Sequence, residues 1–393
     1  MDYLRRVSQS IYNKVNPFFT TNPIPDEYFC DRVKETDELL SEIESRNNVL
    51  LMSPRRMGKT GLINHLYEDP RIKGRYNTFF IDIYDTSTLR ELTFRLGKEV
   101  YDRMSLWDKA RASGFLGVLS SLRGELTLDP VSMGPRFALS VGQIKYPETT
   151  LDEIFAYLEG LDKPCIVAVD EFQKIAEYEE KDVEAVLRTK IQRLGNVRFI
   201  FCGSEQHLLA QMFQTQARPF YRSTRTIVLD RIDKPVYLAF AEGLFESYGK
   251  SISSEGLSAL YDLVDGYTFY LQDILSFVFS RTSDGETVTL TDLIEMLGQI
   301  LDNESASCKT VLSMLTSNQR LLLSAISMSG KALNILSNDF VSRHHLGATS
   351  SVQSALRSLL KKQLVSRDGD AYYLEDKYME LYLRRESGAP ILL

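Results

Sequence analysis

With 393 residues, the chain exceeds what one hydrophobic core usually supports, and two to three domains are expected from length alone. Its 44% hydrophobic and 25% charged residues exclude a disordered or fibrous protein. A formal net charge of -7 means that the molecule as a whole is not drawn to polyanions, so any contact with nucleic acid has to come from a local basic face.

The first residues, Met1-Asp2-Tyr3-Leu4-Arg5-Arg6, lack the apolar core of a signal peptide, and no later stretch is apolar over the roughly 18 residues that a membrane-spanning helix needs. A cytoplasmic protein without membrane contact is the simplest expectation. Cys30, Cys165, Cys202 and Cys308 lie far apart, with no C-x-x-C pair and no histidine at zinc-finger spacing. Neither a disulfide framework nor a zinc site is indicated. Cys165 and Cys202 fall in apolar runs, where a small hydrophobe is the expected role.

In chain order, the prolines of Asn16-Pro17 and Asn22-Pro23-Ile24-Pro25 predict an extended arm over residues 1–30, laid over the domain that follows. Val33, Leu39, Leu40 and Ile43 fit one face of a helix. Short apolar runs then alternate with amphipathic helices, the pattern of a parallel α/β sheet covered on both faces. The predicted strands are Asn48–Met52, Asn77–Ile83, Cys165–Val169, Arg198–Cys202 and Thr226–Leu229, with helices starting near Lys59, Ser87, Thr150, Asp182 and Glu205. A stretch rich in Gly, Ser and Pro at about 114–146 predicts an inserted β-hairpin or lid.

The core is thus expected over 31–234. A small all-α domain follows over 235–315, with helices Tyr237–Tyr248, Ser254–Val264 and Phe269–Arg281 broken by Gly249 and Gly266. From 316 to 393 the order helix, helix, longer helix and two short strands around Asp368-Gly369-Asp370 suggests a winged helix.

The chemistry concentrates in Ser53-Pro54-Arg55-Arg56-Met57-Gly58-Lys59-Thr60-Gly61. A nucleoside triphosphate is held efficiently by backbone N–H groups that open onto a helix N-terminus. Such a loop needs a glycine where the backbone approaches phosphate, a lysine for the β and γ phosphates, and a hydroxyl for Mg2+. Gly58, Lys59 and Thr60 have these identities, although Ser53 stands where the consensus begins with glycine. Downstream, Ile166-Val167-Ala168-Val169 leads into Asp170-Glu171, an apolar strand that ends in two acids. Asp170 suits a metal position beside Thr60, and Glu171 suits the polarisation of an attacking water. Helix capping is the plainer role for both acids.

Gly203-Ser204 follows the strand through Cys202. Ser204 is either a sensor beside the γ-phosphate or an ordinary N-cap of the next helix. The basic loop Arg218-Pro219-Phe220-Tyr221-Arg222-Ser223-Thr224-Arg225 offers an arginine finger, in cis or across a subunit boundary, with Arg218 and Arg222 as candidates. A solvated loop is the alternative.

Together these residues resemble the archaeal-type ATPases of the AAA+/STAND branch, related in layout to the origin-recognition ATPases. The match runs through Ser53–Thr60, Val169–Glu171, Gly203-Ser204, Tyr221-Arg222, the lead-in Phe29-Cys30-Asp31-Arg32 and the segment Gly266-Tyr267-Thr268-Phe269-Tyr270-Leu271-Gln272. Asp31 stands where the family usually has glycine, and Thr268 where proline is common. The resemblance implies an AAA+-like fold, ATP with Mg2+ as ligands, and a lead-in that runs beside the adenine.

In the C-terminal region, Val352, Leu356, Leu359 and Leu360 mark the inward face of a helix, while Gln353, Arg357 and Lys361 share another face that can meet DNA. Two function classes follow. One is an ATPase that couples nucleotide state to domain or oligomer rearrangement and contacts DNA through its winged helix. The other is a STAND-type signalling or defence switch, in which ATP binding drives oligomerisation or partner binding without DNA.

Overall fold

The computed structural model describes residues 16–103, 126–128, 135–137 and 144–389. The described residues form two compact units: one lies within Thr21–Asp230, and the other joins Asn16–Thr20 with Arg231–Ala389.

The first unit is built on a five-stranded parallel sheet in the order β2-β5-β6-β1-β7, where β1 is Val49–Met52, β2 Asn77–Asp82, β5 Cys165–Asp170, β6 Val197–Gly203 and β7 Arg225–Val228. β1 and β5 are buried along their whole length, as the unbroken apolar runs require. Alternate residues serve the two faces. Leu50, Val167, Phe199 and Phe201 pack with Leu92, Leu96, Ile154 and Leu158 in one core, and Val49, Leu51, Ile166 and Ile200 pack with Leu39, Ile43, Leu62 and Leu66 in the other. The covering helices include Val33–Glu44, Lys59–Glu68, Leu89–Arg103 and Pro147–Glu159. The last of these starts earlier than Thr150 because Pro147 suits the first turn.

Within the predicted insertion, β3 (Leu126–Leu128) and β4 (Pro135–Phe137) pair antiparallel; the rest of 114–143 lies outside the described residues.

In the second unit, Asn16 to Thr20 departs from the expectation of an arm lying only on the α/β core. Asn16 Nδ2 donates to the Ser276 carbonyl at 2.8 Å, and Phe18, 3% exposed, packs its ring against Phe245 and Phe279. Burying an aromatic ring on this helical surface outweighs any preference for an extended course. The helices are Lys234–Ser247, Ser254–Leu263, Thr268–Arg281 and Leu290–Ser313, with the short pair β8 (Ser251–Ile252) and β9 (Thr287–Val288) between them. Sequence reading passed over the long helix Leu290–Ser313, which starts on a Thr289–Asp292 capping box.

The C-terminal module contains helices Ser317–Ser329, Asn338–Arg343 and Thr349–Lys361, then a sheet in the order β10-β12-β11, in which β10 is Ala332–Leu333, β11 Val365–Asp368 and β12 Ala371–Leu374. Asp368 pairs with Ala371 across a turn in which Gly369 has φ 58°, the tight hairpin that Asp-Gly favours. Cys308 and Leu315 belong to the core of this module, so the end of the long helix is part of it and a boundary at 315/316 would cut through packed residues.

A buried network ties the helices to the module. Tyr270 is fully buried, and its hydroxyl accepts from the Lys377 backbone N–H at 2.9 Å and lies 3.3 Å from Asp376 Oδ1. The Tyr378 hydroxyl donates to Asp273 Oδ2. Within the last helix, Lys377–Glu386, Glu380, 3% exposed, takes Lys377 Nζ at 2.8 Å and Arg384 Nη2 at 3.2 Å.

Candidate functional site

The sheet register brings the ends of neighbouring strands together: Met52 lies beside Gly203 and Val228, and Asp82 beside Asp170. Ligands of open α/β sheets bind outside such carboxyl ends. The loop of Ser53 to Gly58 leaves β1 here. Ser53 is buried and its hydroxyl donates to the Pro54 carbonyl at 2.9 Å, an inward role that does not need a glycine. Met57 is 2% exposed and anchors the loop, while Arg56 is exposed at φ 65°. Gly58, at φ 89°, takes the left-handed conformation that turns the chain into the helix starting at Lys59. The Lys59 side chain is 8% exposed.

Thr60 Oγ1 lies 3.3 Å from Asp170 Oδ2, so the loop and the end of β5 meet as their residue types suggest. Asp170 Oδ1 accepts from the Glu171 backbone N–H at 2.9 Å and lies 3.3 Å from Cys202 Sγ. Burial first, and then the Asp170 charge, push the Cys202 thiol far up, so it stays protonated.

Glu171 occupies a left-handed conformation at φ 55° and makes no side-chain cap, unlike the capping role set beside it. Its Oε2 accepts from Ser204 Oγ at 2.8 Å and from Gln173 Nε2. Ser204 is therefore not the N-cap of the following helix; Glu205 stands there. Phe172 follows directly and joins Phe201, Phe213 and Phe220 in a ring cluster with centroids 4.4 to 5.8 Å from Phe172, which fixes the chain beyond Glu171.

Phe220 is fully buried and pins the basic loop beneath that cluster. Arg218 is committed to an ion pair with Glu184, whose carboxyl burial raises and whose partner Arg218 lowers. Arg222 is exposed at φ 52°, its guanidinium 5.3 Å from the Tyr221 ring centroid. Arg225 lies 4.0 Å from Glu42.

In the lead-in, Phe29 stacks on His65 at 4.1 Å, and Asp31 and Arg32 take φ 54° and 71° in succession. The first of these explains why glycine is at home there. Arg32, 4% exposed, pairs with Glu35 and donates to the Met57 carbonyl at 3.4 Å, which ties the lead-in to the phosphate loop. A Cβ on Gly61 would lie 3.6 Å from both Asn22 and Phe29, so residues 22–29 cover the start of the loop helix. The family segment Gly266–Gln272 places Tyr270 against the C-terminal module, as described above.

Three residues escaped the sequence reading. Asp82 repeats the pattern of an acid closing an apolar strand, and its carboxyl is raised by desolvation first and by Asp170 and Glu171 after the counteracting Tyr84 amide. Gln173 left no signal. Cys202 looked like a plain hydrophobe.

A family model described as an ATPase domain predominantly from Archaea matches residues 29–274, and one described as a probable winged helix domain matches 307–385. An uncharacterised ATP-binding protein of Methanocaldococcus jannaschii is 27% identical over 310 residues, covering 70% of this chain and 78% of the relative. A second such protein from that organism is 25% identical over 275 residues, covering 63% of this chain and 72% of the relative. Among solved structures, the Walker-type ATPase paby2304 of Pyrococcus abyssi has TM-score 0.61 and 18% identity, covering 94% of this chain and 99% of that one. The ORC2 protein of Aeropyrum pernix, in ADPNP-ADP complexes, has TM-score 0.55 and 13% identity over 95% and 98%. At those identities the two structures speak for the α/β P-loop ATPase fold. Among the described residues no helix is long and apolar enough to cross a membrane. With the family model matching well over half of its length, the chain belongs to the ATPase domain family found predominantly in Archaea.

Proposed function

We propose that the chain binds ATP through Ser53–Gly61 and hydrolyses it with Mg2+, and that its nucleotide state sets a domain or oligomer rearrangement. The observation that carries this reading is the approach of Thr60 Oγ1 to Asp170 Oδ2 at 3.3 Å beside the buried Lys59. Two hard oxygen donors at this spacing fit Mg2+, which prefers oxygen ligands and keeps several waters. Thr60 and Asp170 would hold it, and when bound it neutralises charge on the β and γ phosphate oxygens.

The chain's own groups then have separate tasks. The loop N–H groups bind phosphate at the helix N-terminus, and Lys59 balances the γ-phosphate charge. Glu171 accepts hydrogen bonds from Ser204 and Gln173, which orient its carboxylate to polarise a water for in-line attack. Arg222 suits the finger role better than Arg218, because it is exposed whereas Arg218 is held by Glu184.

A Thr60→Ala variant tests the metal assignment. ATP affinity without Mg2+ should stay near the wild-type value, while the gain in affinity on adding Mg2+ should shrink roughly tenfold or more. An unchanged gain would remove Thr60 from the site.

A second reading is favoured by the C-terminal helix Thr349–Lys361. Val352, Leu356 and Leu359 are buried, whereas Gln353, Arg357 and Lys361 are all exposed. That face offers two cations and an amide to a DNA groove. A switch acting without DNA is the competing outcome.

A further inference from the structure

The Asp170 carboxylate is held from a neighbouring strand by a thiol. Cys202 is fully buried in β6, one residue before Gly203, and its Sγ lies 3.3 Å from Asp170 Oδ1. The Val169 carbonyl, at 3.6 Å, is the other acceptor within reach, but a carboxylate attracts the single thiol proton more strongly. The second donor to Oδ1 is the backbone N–H of Glu171, the very next residue. A bond between adjacent residues moves with the strand end that carries Asp170. Among the described residues, the bond from β6 is the one that relates the carboxylate to a neighbouring strand. With Oδ1 engaged on this side, Oδ2 points at Thr60.

We propose that Cys202 is a positioning residue for the metal site: its S–H bond to Asp170 Oδ1 fixes the carboxylate so that Oδ2 and the Thr60 hydroxyl converge on one cation. This rests on the reading of Thr60 and Asp170 as the cation's protein partners. A small apolar residue at position 202 would satisfy the packing there, where Cys202 lies beside Leu51 of β1 and in one core with Ile166, Ala168 and Ile200, but would leave the carboxylate free to rotate about its last bond. Groups that orient a metal ligand in this way commonly change metal affinity by about 10- to 100-fold when removed.

Valine and threonine have nearly the same shape and differ in one hydroxyl, so Cys202→Val and Cys202→Thr separate hydrogen bonding from volume. Cys202→Ala and Cys202→Ser form a second pair that avoids overpacking if the larger side chains do not fold. The readout is Mn2+ affinity of the full chain with a non-hydrolysable ATP analogue, followed by the electron paramagnetic resonance of bound Mn2+. The expected result is a loss of about tenfold in Cys202→Val and Cys202→Ala, with recovery in Cys202→Thr and Cys202→Ser. Asp170→Asn serves as the control. If Asp170→Asn weakens Mn2+ binding while both Cys202 pairs behave alike, the positioning role is overturned and the site stands. If Asp170→Asn changes nothing, the site reading itself has failed.

Discussion

Gly203 shows how closely the residues around Glu171 are fitted. A Cβ built there would come 2.0 Å from Gln173 Oε1 and 3.3 Å from Glu171 Cα, and Gln173 is fully buried, so it has to give way. Gly203→Ala should therefore destabilise the first unit by roughly 1–3 kcal/mol, a cost typical of overpacking. It should also slow turnover while ATP affinity persists, because displacing Gln173 takes a donor from Glu171. Thermal unfolding together with phosphate release checks both parts; an alanine variant as stable and as active as the wild type would contradict this picture. At this scale the sequence was legible where chemistry restricts the residue type. Gly58, Lys59 and Thr60 have few substitutes in a phosphate loop, and Asp170-Glu171 closes an apolar strand. Cys202 and Gln173 were not legible, since a thiol and an amide serve many roles and only the neighbouring strand reveals which one applies.

Elements were legible where periodicity is local. β1 and β5 show as apolar runs, and the wing turn shows as Asp368-Gly369. The anchoring of Asn16 and Phe18 on the helix Thr268–Arg281, and of Tyr270 on Lys377, joins residues more than 100 positions apart. Nothing in a local pattern announces such pairings. The exposed face of the helix Thr349–Lys361 gives the prediction that belongs to this scale. In the full chain, the Arg357→Ala/Lys361→Ala double variant should bind duplex DNA more weakly across all sequences. Its slope of log affinity against log salt should flatten by about 1 for each lost phosphate contact. Identical salt slopes for wild type and variant would remove this face from DNA binding, and absence of binding by the wild type would favour the switch acting through oligomers or partners.

For the whole molecule, the α/β class and the order core, helices, winged helix follow from length and pattern, but the division into units does not. Asn16 to Thr20 return to the helical part, and the bonds of Tyr270 to the Lys377 backbone, of Tyr378 to Asp273 and of Arg385 to Asp302 bind helices and winged helix into one compact unit. Buried charges such as Glu380 tolerate little loss of a partner. Any coupling of nucleotide state to rearrangement presupposes that the first unit hydrolyses ATP at the loop described. Phosphate release from the wild type, Lys59→Ala and Glu171→Gln tests this most directly. The wild type should turn over with Mg2+, Lys59→Ala should lose nucleotide affinity and turnover together, and Glu171→Gln should keep its affinity while turnover falls by about 100-fold or more. Equal rates in all three proteins would contradict the assignment of the site.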